Sequence, residues 1–226
     1  MPYRYETHCH TKEGSACSVA PAAELVEFYR EMGYSGLCVT DHFTGNSTLP
    51  ADTPWKERVG FYHDIFIKMR DAGAKHGFKV FFGIEPTHKG NDFLIIDPSK
   101  EWLLENGDAF TGKLGELLSK ARKSGAFVSH AHPFKEAEWI EYIRLLPRCV
   151  DAVEIYNVNG SAFINGAAKA YAELYGLPVT AGSDLHRTDQ MLLSGLETDA
   201  PCDSALDLIQ AIKNGAARIF TIERKQ

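Results

Sequence analysis

A chain of 226 residues, 44% of them apolar, is long enough to bury one sizeable core, which predicts a single domain over residues 1–226. The net charge of −6 disfavours a surface for long nucleic acids, because such surfaces carry clustered basic residues. No stretch approaches the ~20 apolar residues needed to cross a bilayer and no apolar leader opens the chain, so a soluble, cytoplasmic protein without a membrane partner is expected.

Short runs rich in β-branched and aromatic residues predict eight strands along the chain. They are Tyr3–Thr7, Gly36–Thr40, Lys79–Ile84, Phe93–Ile96, Phe127–Ser129, Ala152–Tyr156, Val179–Ala181 and Arg218–Thr221. Several of these runs are separated by apolar residues at helical spacing, which predicts helices over residues 22–32, 114–121, 164–171 and 205–212. Pro21 suits the start of the first helix, Gly33 its end, and Ser204 the cap of the last. This alternation predicts a parallel sheet, either doubly wound or closed as a barrel. Residues 43–54, rich in Thr, Gly, Asn, Ser and Pro, predict a long surface loop that follows a strand end.

Histidines and acids directly follow several of the predicted strands. They are His8 and His10, Asp41 and His42, Glu85, His130 and His132, and Asp184 and His186. In parallel α/β folds the carboxyl ends of the strands converge on one face, where active sites are built. One buried histidine is ordinarily a hydrogen-bonded core residue. Five strand ends with such groups are hard to explain by packing, because each unpaired buried polar group costs about 1–3 kcal/mol. The set therefore predicts a metal site.

The residue types in this set select the metal chemistry. Imidazole and carboxylate groups without thiolates favour Zn²⁺, Mn²⁺ or Fe²⁺. The five cysteines contain no C-x-x-C pair, so neither a thiolate zinc site nor a disulfide framework is expected. More ligands are present than one ion needs, and two to three divalent metal ions are predicted as cofactors.

Five motifs occur in order along the chain: H-x-H at 8–10, T-D-H at 40–42, G-I-E at 83–85, H-P at 132–133 and S-D-L-H at 183–186. In this order they resemble the motif series of the PHP (polymerase and histidinol phosphatase) superfamily. The resemblance implies an α/β fold of the distorted TIM-like (β/α)7 barrel type. It also implies a cluster of up to three metal ions at the carboxyl ends of the strands, and phosphoesterase activity.

The resemblance further implies which residues hold each ion. His8, His10 and Asp184 would hold the first ion, Glu85 would bridge it to a second, and His132 would ligate the second.

His42 and His186 would hold the third ion.

Family members often supply a further histidine to the second ion, from a strand after the bridging glutamate. The comparable stretch "GNDFLIID" offers Asp92 instead. His130 does not match a ligand position and is expected to orient a ligand or phosphate.

One departure from the family pattern concerns the third ion. The family commonly places an Asp or His about five residues after the H-x-H motif, where this chain has Ser15 followed by Ala16. Neither is a good ligand for a divalent cation. Glu13 is the nearest carboxylate and is predicted to take this role from a reshaped loop, with a solvated loop charge as the alternative; Cys17 is a softer candidate.

The expected reaction is hydrolysis of a small phosphorylated substrate, a phosphomonoester, by a hydroxide that bridges two metal ions. His42, His130 or a metal-bound water is expected to protonate the leaving group, and Arg187 to contact the phosphate through a bidentate contact. Three other basic residues are alternative contacts to the phosphate, with a solvated surface charge as the favoured interpretation of each: Lys12, Arg58 and Lys135.

Two other functions stay open. A phosphodiesterase or exonuclease acting on nucleotides would need basic and aromatic residues along a groove, and the group Trp55, Lys56 and Arg58 is small for that purpose. A non-catalytic metal-binding module is favoured only by the Ser15 departure. His42 and His186 argue against it, because a lapsed third site has no need of them.

Overall fold

The computed structural model describes residues 2–224, which contain ten strands and seven helices. The strands are β1 (Tyr3–Cys9), β2 (Gly36–Val39), β3 (His42–Thr44), β4 (Lys79–His88), β5 (Asn91–Ile96), β6 (Phe127–His130), β7 (Ala152–Asn157), β8 (Val179–Gly182), β9 (Leu192–Thr198) and β10 (Arg218–Glu223). The helices are α1 (Ala22–Glu31), α2 (Trp55–Ala74), α3 (Lys100–Glu105), α4 (Gly107–Thr111), α5 (Leu114–Lys123), α6 (Ala162–Tyr175) and α7 (Ala205–Lys213). None of the helices in this range combines the length and apolarity that a bilayer crossing requires.

The strands form one mixed sheet in the order β10-β9-β1-β2-β4-β5-β6-β7-β8, with β3 beside β4. The sheet curls until β8 approaches β1. Thr7 Oγ1 donates a hydrogen bond to the carbonyl oxygen of Ala181 at 2.8 Å, and Cys9 forms an isolated parallel bridge with Leu185. The molecule is therefore a mixed α/β fold with a nearly closed, barrel-like sheet, which confirms the predicted barrel.

Four strand pairs are antiparallel, which differs from the predicted all-parallel sheet. They are β4–β5, β5–β6, β1–β9 and β9–β10. The β4–β5 hairpin shows the cause: Lys89 and Gly90 have φ angles of 52° and 79°, and His88 pairs with Asn91 across them. Positive φ at both central residues is typical of the tight hairpin turn that matches strand twist. The chain therefore returns at once instead of crossing through a helix.

All eight predicted strands are present, whereas β3 and β9 were not predicted. The sequence of β9, "LLSGLET", is interrupted by Gly195. A Cβ atom at this position would lie 2.3 Å from the carbonyl oxygen of Tyr5, so the close packing of β9 against β1 requires glycine.

The longest helix, α2, was not predicted because its buried face includes a charged side chain. Arg58 is only 5% exposed, so it is not the solvated charge that was expected. Its guanidinium donates hydrogen bonds to the carbonyl oxygens of Phe43 at 3.0 Å and Pro50 at 2.7 Å. Arg58 thus ties α2 to the loop that follows β3.

Alternate side chains of the central strands enter two different apolar clusters, as the two faces of a sheet require. Leu37 and Val39 pack in a cluster that includes residues of α1 and α2, whereas Cys38 between them packs in a cluster that includes residues of α7. The predicted apolar stripes of α5 and α7 are fully buried, and Ser204 caps α7 in a capping box with Asp207. The core thus holds both faces of the strands whose polar ends form the candidate site.

Replacing Gly195 with alanine is expected to destabilise the fold by about 1–3 kcal/mol, because the added Cβ overlaps the backbone of β1. Urea denaturation followed by circular dichroism measures the change. Gly166→Ala in α6 is the matched control, since a Cβ there meets no atom within 4 Å. The control should gain roughly 0.5–1 kcal/mol through helix propensity. Equal, small effects of the two substitutions would contradict the close β1–β9 packing.

Candidate metal centre

Polar side chains from several strand ends meet at one end of the barrel. Eight of the nine predicted metal ligands lie there: His8, His10, His42, Glu85, Asp92, His132, Asp184 and His186. Their candidate ligand atoms fall into four groups of three, and within each group the atoms lie within 4.8 Å of one another. The groups are His10, His42 and His186; His8, His10 and Glu85; His8, His132 and Asp184; and His42, Glu85 and Asp92.

The ring of His8 is oriented by a carboxylate behind it. His8 Nδ1 lies 2.9 Å from Glu154 Oε1, and because an ionised carboxylate only accepts, Nδ1 is the donor. When the ring is neutral, His8 Nε2 carries a lone pair. It faces two other acceptors, Asp184 Oδ1 at 3.4 Å and His10 Nε2 at 3.2 Å.

Ser15, the departure from the family pattern, orients the ring of His10. Its hydroxyl donates to Asp41 Oδ1 at 2.7 Å and accepts the backbone N–H of His42 at 2.9 Å. The remaining lone pair of Ser15 Oγ accepts from His10 Nδ1 at 3.0 Å. In the neutral ring, His10 Nε2 therefore carries a lone pair as well, and it faces Asp184 Oδ1 at 3.1 Å. Ser15 is a positioning residue in a place where the family pattern has a ligand.

His186 is oriented by the backbone. Its Nδ1 lies 2.7 Å from the carbonyl oxygen of Asp184, which can only accept, so Nδ1 carries the proton and Nε2 presents a lone pair. The ring packs against that of His10 with centroids 4.5 Å apart. Three imidazoles of the cluster are thus held in the tautomer that metal ligation requires.

Glu85 is fully buried, yet neither of its oxygens has a hydrogen-bond partner. His8 Nε2 lies 3.2 Å from Oε1 and His42 Nδ1 lies 2.8 Å from Oε2, but neither contact has the angles of a hydrogen bond. Asp92 Oδ1 is likewise buried without a partner. Uncompensated buried carboxylates are costly. A positive charge between these groups offsets that cost, supplied either by a metal ion or by protons on His8 and His42.

The donor set fits divalent ions. Imidazole and carboxylate ligands without thiolate suit Zn²⁺, Mn²⁺ or Fe²⁺, and the orphaned oxygens of Glu85 and Asp92 are where such ions would bind.

The same contacts shift the pKa values in the cluster. Burial lowers the pKa of His10 to about 3. Although burial opposes it in both cases, the Asp184 carboxylate raises the pKa of His8, and Glu85 raises the pKa of His42 to about 11. The nearby His42 and His8, in turn, hold the pKa of Glu85 well below its usual range despite its burial. Protons on His8 and His42 thus compete with metal ions, so metal affinity increases with pH.

Two buried carboxylates, Glu6 and Glu154, support the cluster and were missed by the sequence analysis. Glu154 Oε2 accepts the backbone N–H of His132 at 2.9 Å, which places that candidate ligand. Glu6 Oε1 accepts the backbone N–H groups of His8 at 2.8 Å and Ser183 at 3.0 Å, and burial raises the pKa of Glu6 to about 7. The signal available in the sequence was an acid inside an apolar strand, in "YRYETHC" and "AVEIYN".

The backbone is strained at two candidate ligands. His132 and Asp184 have φ angles of 27° and 45°, in a region that costs non-glycine residues about 1–3 kcal/mol and that occurs preferentially at functional sites. Gly182 lies two residues before Asp184, and a Cβ atom added to Gly182 would lie 2.4 Å from His8 Cβ. The close approach of β8 to β1 thus depends on a glycine beside the cluster.

Glu13 is the one predicted ligand that lies outside the cluster. Its side chain is exposed, and its Oε2 accepts the backbone N–H of Ala22 at 2.9 Å, at the start of α1. This corrects the expectation that Glu13 takes the place of Ser15, because its carboxylate is engaged at a helix terminus.

His130 lies in the core instead of facing the cluster. Its ring stacks on Phe93 with centroids 4.5 Å apart, and neither ring nitrogen has a hydrogen-bond partner. Burial lowers the pKa of His130 to about 3, so the imidazole is neutral. This corrects the expectation that His130 orients a phosphate or protonates a leaving group, since it does not reach the cavity described next.

A cavity of about 490 Å³ opens from the cluster to solvent, and the basic residue that lines it is not the predicted one. His42, Asp92 and Lys135 line it, and Lys135 is half-buried. Arg187 is exposed and pairs with Asp189 through Nε at 3.0 Å and Nη2 at 2.9 Å. Of these two residues, Lys135 lines the cavity and Arg187 does not.

Cys17 lies beside the cluster and is exposed. Although burial raises it, hydrogen bonds with His186 and His42 lower the pKa of the Cys17 thiol to about 7.

Comparisons with known proteins give one sequence match. A family model described as PHP-associated matches residues 164–217, which is less than half of the chain. No curated protein matches the chain.

Several solved structures share the fold. One is a two-domain protein from Bacteroides vulgatus that contains a predicted PHP-like metal-dependent phosphoesterase. It is similar over 97% of this chain, with 15% identity and a TM-score of 0.71, and this chain spans 65% of the length of that protein. An amidohydrolase from Chromobacterium violaceum with bound sulfate and no metal is 13% identical, with a TM-score of 0.59 over 92% of this chain and 96% of that one. A lesion-specific endonuclease from Pyrococcus furiosus is 16% identical, with a TM-score of 0.62 over 97% of this chain and 58% of that one.

At these identities the structural similarities establish the fold. The three structural neighbours carry the names of hydrolases.

Glu154→Gln is expected to weaken binding of Zn²⁺ or Mn²⁺ by roughly 10- to 100-fold, because the carboxylate that orients His8 loses its charge. Competition with a chromophoric chelator measures the affinity. Glu31→Gln, an exposed glutamate at the end of α1, is the matched control. Equal affinities of the two variants would show that Glu154 does not orient a ligand.

In metal-stripped protein, alkylation of Cys17 by iodoacetamide is expected to rise with pH through a midpoint near 7, because the thiolate is the reactive form. Peptide mass spectrometry after timed quenching measures the rate at each pH. Cys9 and Cys38 are buried, with their pKa values raised by that burial, and should stay unmodified in folded protein. A Cys17 midpoint at the ordinary thiol value of about 8.5 would contradict the hydrogen bonds to His186 and His42.

Proposed function

We propose that this protein belongs to the PHP superfamily and is a metal-dependent phosphoesterase that hydrolyses a small phosphomonoester. The proposal rests mainly on one observation, the inward-facing lone pairs of the cluster. Glu154, Ser15 and the Asp184 carbonyl each accept a hydrogen bond from the Nδ1–H of a histidine, and the carboxylate of Glu85 has no hydrogen-bond partner. Such an arrangement is suited to holding cations.

The proposed ligands divide among two to three divalent ions, Zn²⁺, Mn²⁺ or Fe²⁺. The first ion would be held by His8, His10 and Asp184, the second by His132 and Asp92, and the third by His42 and His186, with Glu85 as the bridge between the first two. Ions of this kind supply a water acidified toward neutral pH and positive charge against the phosphate oxygens. Two sets of distances support this division: the nearest side-chain atoms of His8, His10 and Asp184 lie 3.1–3.4 Å apart, and His132 Nε2 lies 3.9 Å from Asp92 Oδ2.

Residues of the cavity would bind the ester. Lys135 offers an ammonium group beside the cluster. Of the two histidines predicted as proton donors, only His42 lines the cavity. As a ligand of the third ion His42 would not supply this proton, so it would act as the proton donor only in a centre of two ions, through Nε2, because Nδ1 faces Glu85.

The size and charge of the molecule favour a small substrate. A cavity of about 490 Å³ accommodates a small ester, and a net charge of −6 repels an extended polyanion. The endonuclease among the structural neighbours gives the alternative, cleavage of nucleic-acid strands, only weak support.

The test is turnover by protein that has been stripped and reloaded with one metal at a time, on a panel of phosphomonoesters, phosphodiesters and amides. Phosphomonoesters are expected to be hydrolysed fastest. Glu85→Gln should lower kcat/KM by at least about 100-fold, because it removes the charge of a proposed bridging ligand. Arg187→Ala is the control and should stay within about twofold of the wild type, since its guanidinium is exposed and paired with Asp189.

The other outcomes identify the alternatives. Faster hydrolysis of phosphodiesters or amides would overturn the proposed substrate class. Metal binding without turnover of any compound would indicate a non-catalytic metal-binding module.

A further inference from the structure

Asp184 is held in a conformation that its own backbone disfavours. Its φ angle of 45° lies in the left-handed region, and the residue is only 4% exposed. A residue with a Cβ atom persists in that region only where the surrounding structure over-determines it. The contacts that hold Asp184 therefore decide how this candidate ligand is presented to the metal centre.

Two asparagines hold Asp184, one by its side chain and one by its backbone. They belong to residues 157–165, which run from the end of β7 into α6 and which we call the asparagine turn. Asn157 Nδ2 donates a hydrogen bond to Asp184 Oδ2 at 3.3 Å, and Asn159 Nδ2 donates to the backbone carbonyl oxygen of Asp184 at 2.8 Å. The same carbonyl accepts from His186 Nδ1 at 2.7 Å. Side chain and backbone of Asp184 are thus both fixed from the asparagine turn.

The amide group of Asn157 has only one orientation that satisfies its neighbours. Its Oδ1 accepts the backbone N–H of Asn159 at 2.9 Å, so Nδ2 faces the metal centre. The two hydrogens of Nδ2 serve two carboxylates, that of Asp184 and that of Glu154, whose Oε2 lies 2.9 Å away. Because Asn157 is only 1% exposed, its loss would leave both carboxylate oxygens without this donor in a buried place.

A third asparagine, Asn165 in α6, holds the turn itself. Its Oδ1 accepts the backbone N–H of Asn157 at 3.1 Å, and its Nδ2 donates to the carbonyl oxygens of Asn157 at 3.0 Å and Gly160 at 3.3 Å. A Cβ atom added to Gly160 would lie 2.8 Å from Asn165 Oδ1, so this close approach requires glycine. The asparagine turn is therefore fixed by α6, independently of the candidate ligands.

These contacts divide the two oxygens of Asp184 between different tasks. Oδ2 accepts from Asn157, whereas Oδ1 faces His10 Nε2 at 3.1 Å and His8 Nε2 at 3.4 Å. In the neutral rings both nitrogens carry lone pairs, so Oδ1 and these nitrogens are three acceptors directed at one another. A carboxylate free to rotate would present either oxygen there and would hold neither in place.

We propose that Asn157 and Asn159 are positioning residues for the first metal ion, which hold Asp184 in its strained conformation and turn Oδ1 toward that ion. The inference rests on the proposed function, because that function supplies the ion. It goes beyond it by assigning part of the affinity for this ion to two residues that are not ligands and that lie outside the five motifs. Partners of this kind typically change metal affinity by 10- to 100-fold.

Titration of metal-stripped protein with Co²⁺ tests the assignment, because the visible absorption of bound Co²⁺ reports both occupancy and ligand geometry. The site of the first ion is identified as the one that Asp184→Ala abolishes. Asn159→Ala, at an exposed residue, should weaken Co²⁺ binding at that site by roughly tenfold. Asn157→Ala also removes the contact to Glu154 and should weaken it by roughly 10- to 100-fold. Both should change the shape of the Co²⁺ band at saturation, since Asp184 is no longer held by one oxygen.

A double substitution separates positioning from a general effect on the fold. In the Asp184→Ala protein, Asn159→Ala should cause no further change in Co²⁺ binding, because it acts only through Asp184. Urea unfolding of the metal-free variants shows whether each one folds. Asn214→Ala is the matched control, because Asn214 is an exposed asparagine after α7, and it should leave both affinity and absorption unchanged.

The outcomes distinguish this inference from the proposed function. Folded Asn157→Ala and Asn159→Ala proteins that bind Co²⁺ with wild-type affinity and absorption would overturn the inference and leave the phosphoesterase intact. An equal loss from Asn159→Ala with and without Asp184 would also overturn it. Co²⁺ binding that depends on Asn159, without turnover of any ester, would support the inference and overturn the phosphoesterase. Wild-type protein that binds no Co²⁺ would overturn both.

Discussion

Three hydrogen bonds donated by imidazole Nδ1 atoms decide what the rest of this structure can do. The acceptors are the side chains of Glu154 and Ser15 and the backbone carbonyl of Asp184. Because Nδ1 of each neutral ring carries the proton, the other ring nitrogen carries a lone pair that faces the same small volume. If any of these acceptors were a donor instead, the ring would present a proton to its neighbours, and the cluster would be a hydrogen-bonded core in place of a cation site.

The surrounding fold is organised to keep those acceptors in place. Asp41 holds Ser15, and Gly14 is required because a Cβ there would lie 2.3 Å from the Asp41 carboxylate. Glu154 holds His8 on one oxygen and the backbone of His132 on the other. Burial raises the pKa of Asp41 to about 6, and several candidate ligands sit in costly surroundings. A folded state with this arrangement is stabilised by cations or, in their absence, by protons on His8 and His42.

The order of polar residues after the strands was enough to locate most of this centre. Eight candidate ligands could be named because strand ends of a barrel converge and because their motifs run in one order. The errors share a cause. Glu13, His130 and Arg187 were chosen by proximity along the chain, but Glu13 accepts at the start of α1, His130 is turned into the core against Phe93, and Arg187 pairs with Asp189. Side-chain direction within a strand or loop depends on packing, which spacing does not report. The antiparallel pairing of β5 was missed for a similar reason, since pairing direction depends on turns and on contacts with distant strands.

The sequence by itself determined the fold class, the kind of ligand and the face of the barrel on which the ligands gather. The α/β class follows from the periodicity of strands and helices, and the kind of ligand from residue types, both of which are local. The closed barrel and its ligand-bearing face were implied by the resemblance of the five motifs to those of the PHP superfamily. Only the tertiary structure decided which ring nitrogen each histidine offers, why Ser15 can stand where a ligand was expected, and that Lys135 lines the cavity at the metal centre. Each of these depends on hydrogen bonds or contacts between residues far apart in sequence, such as His8 with Glu154. The physical reason is that a proton's position is set by the partner it meets, and that partner is chosen by the folded chain.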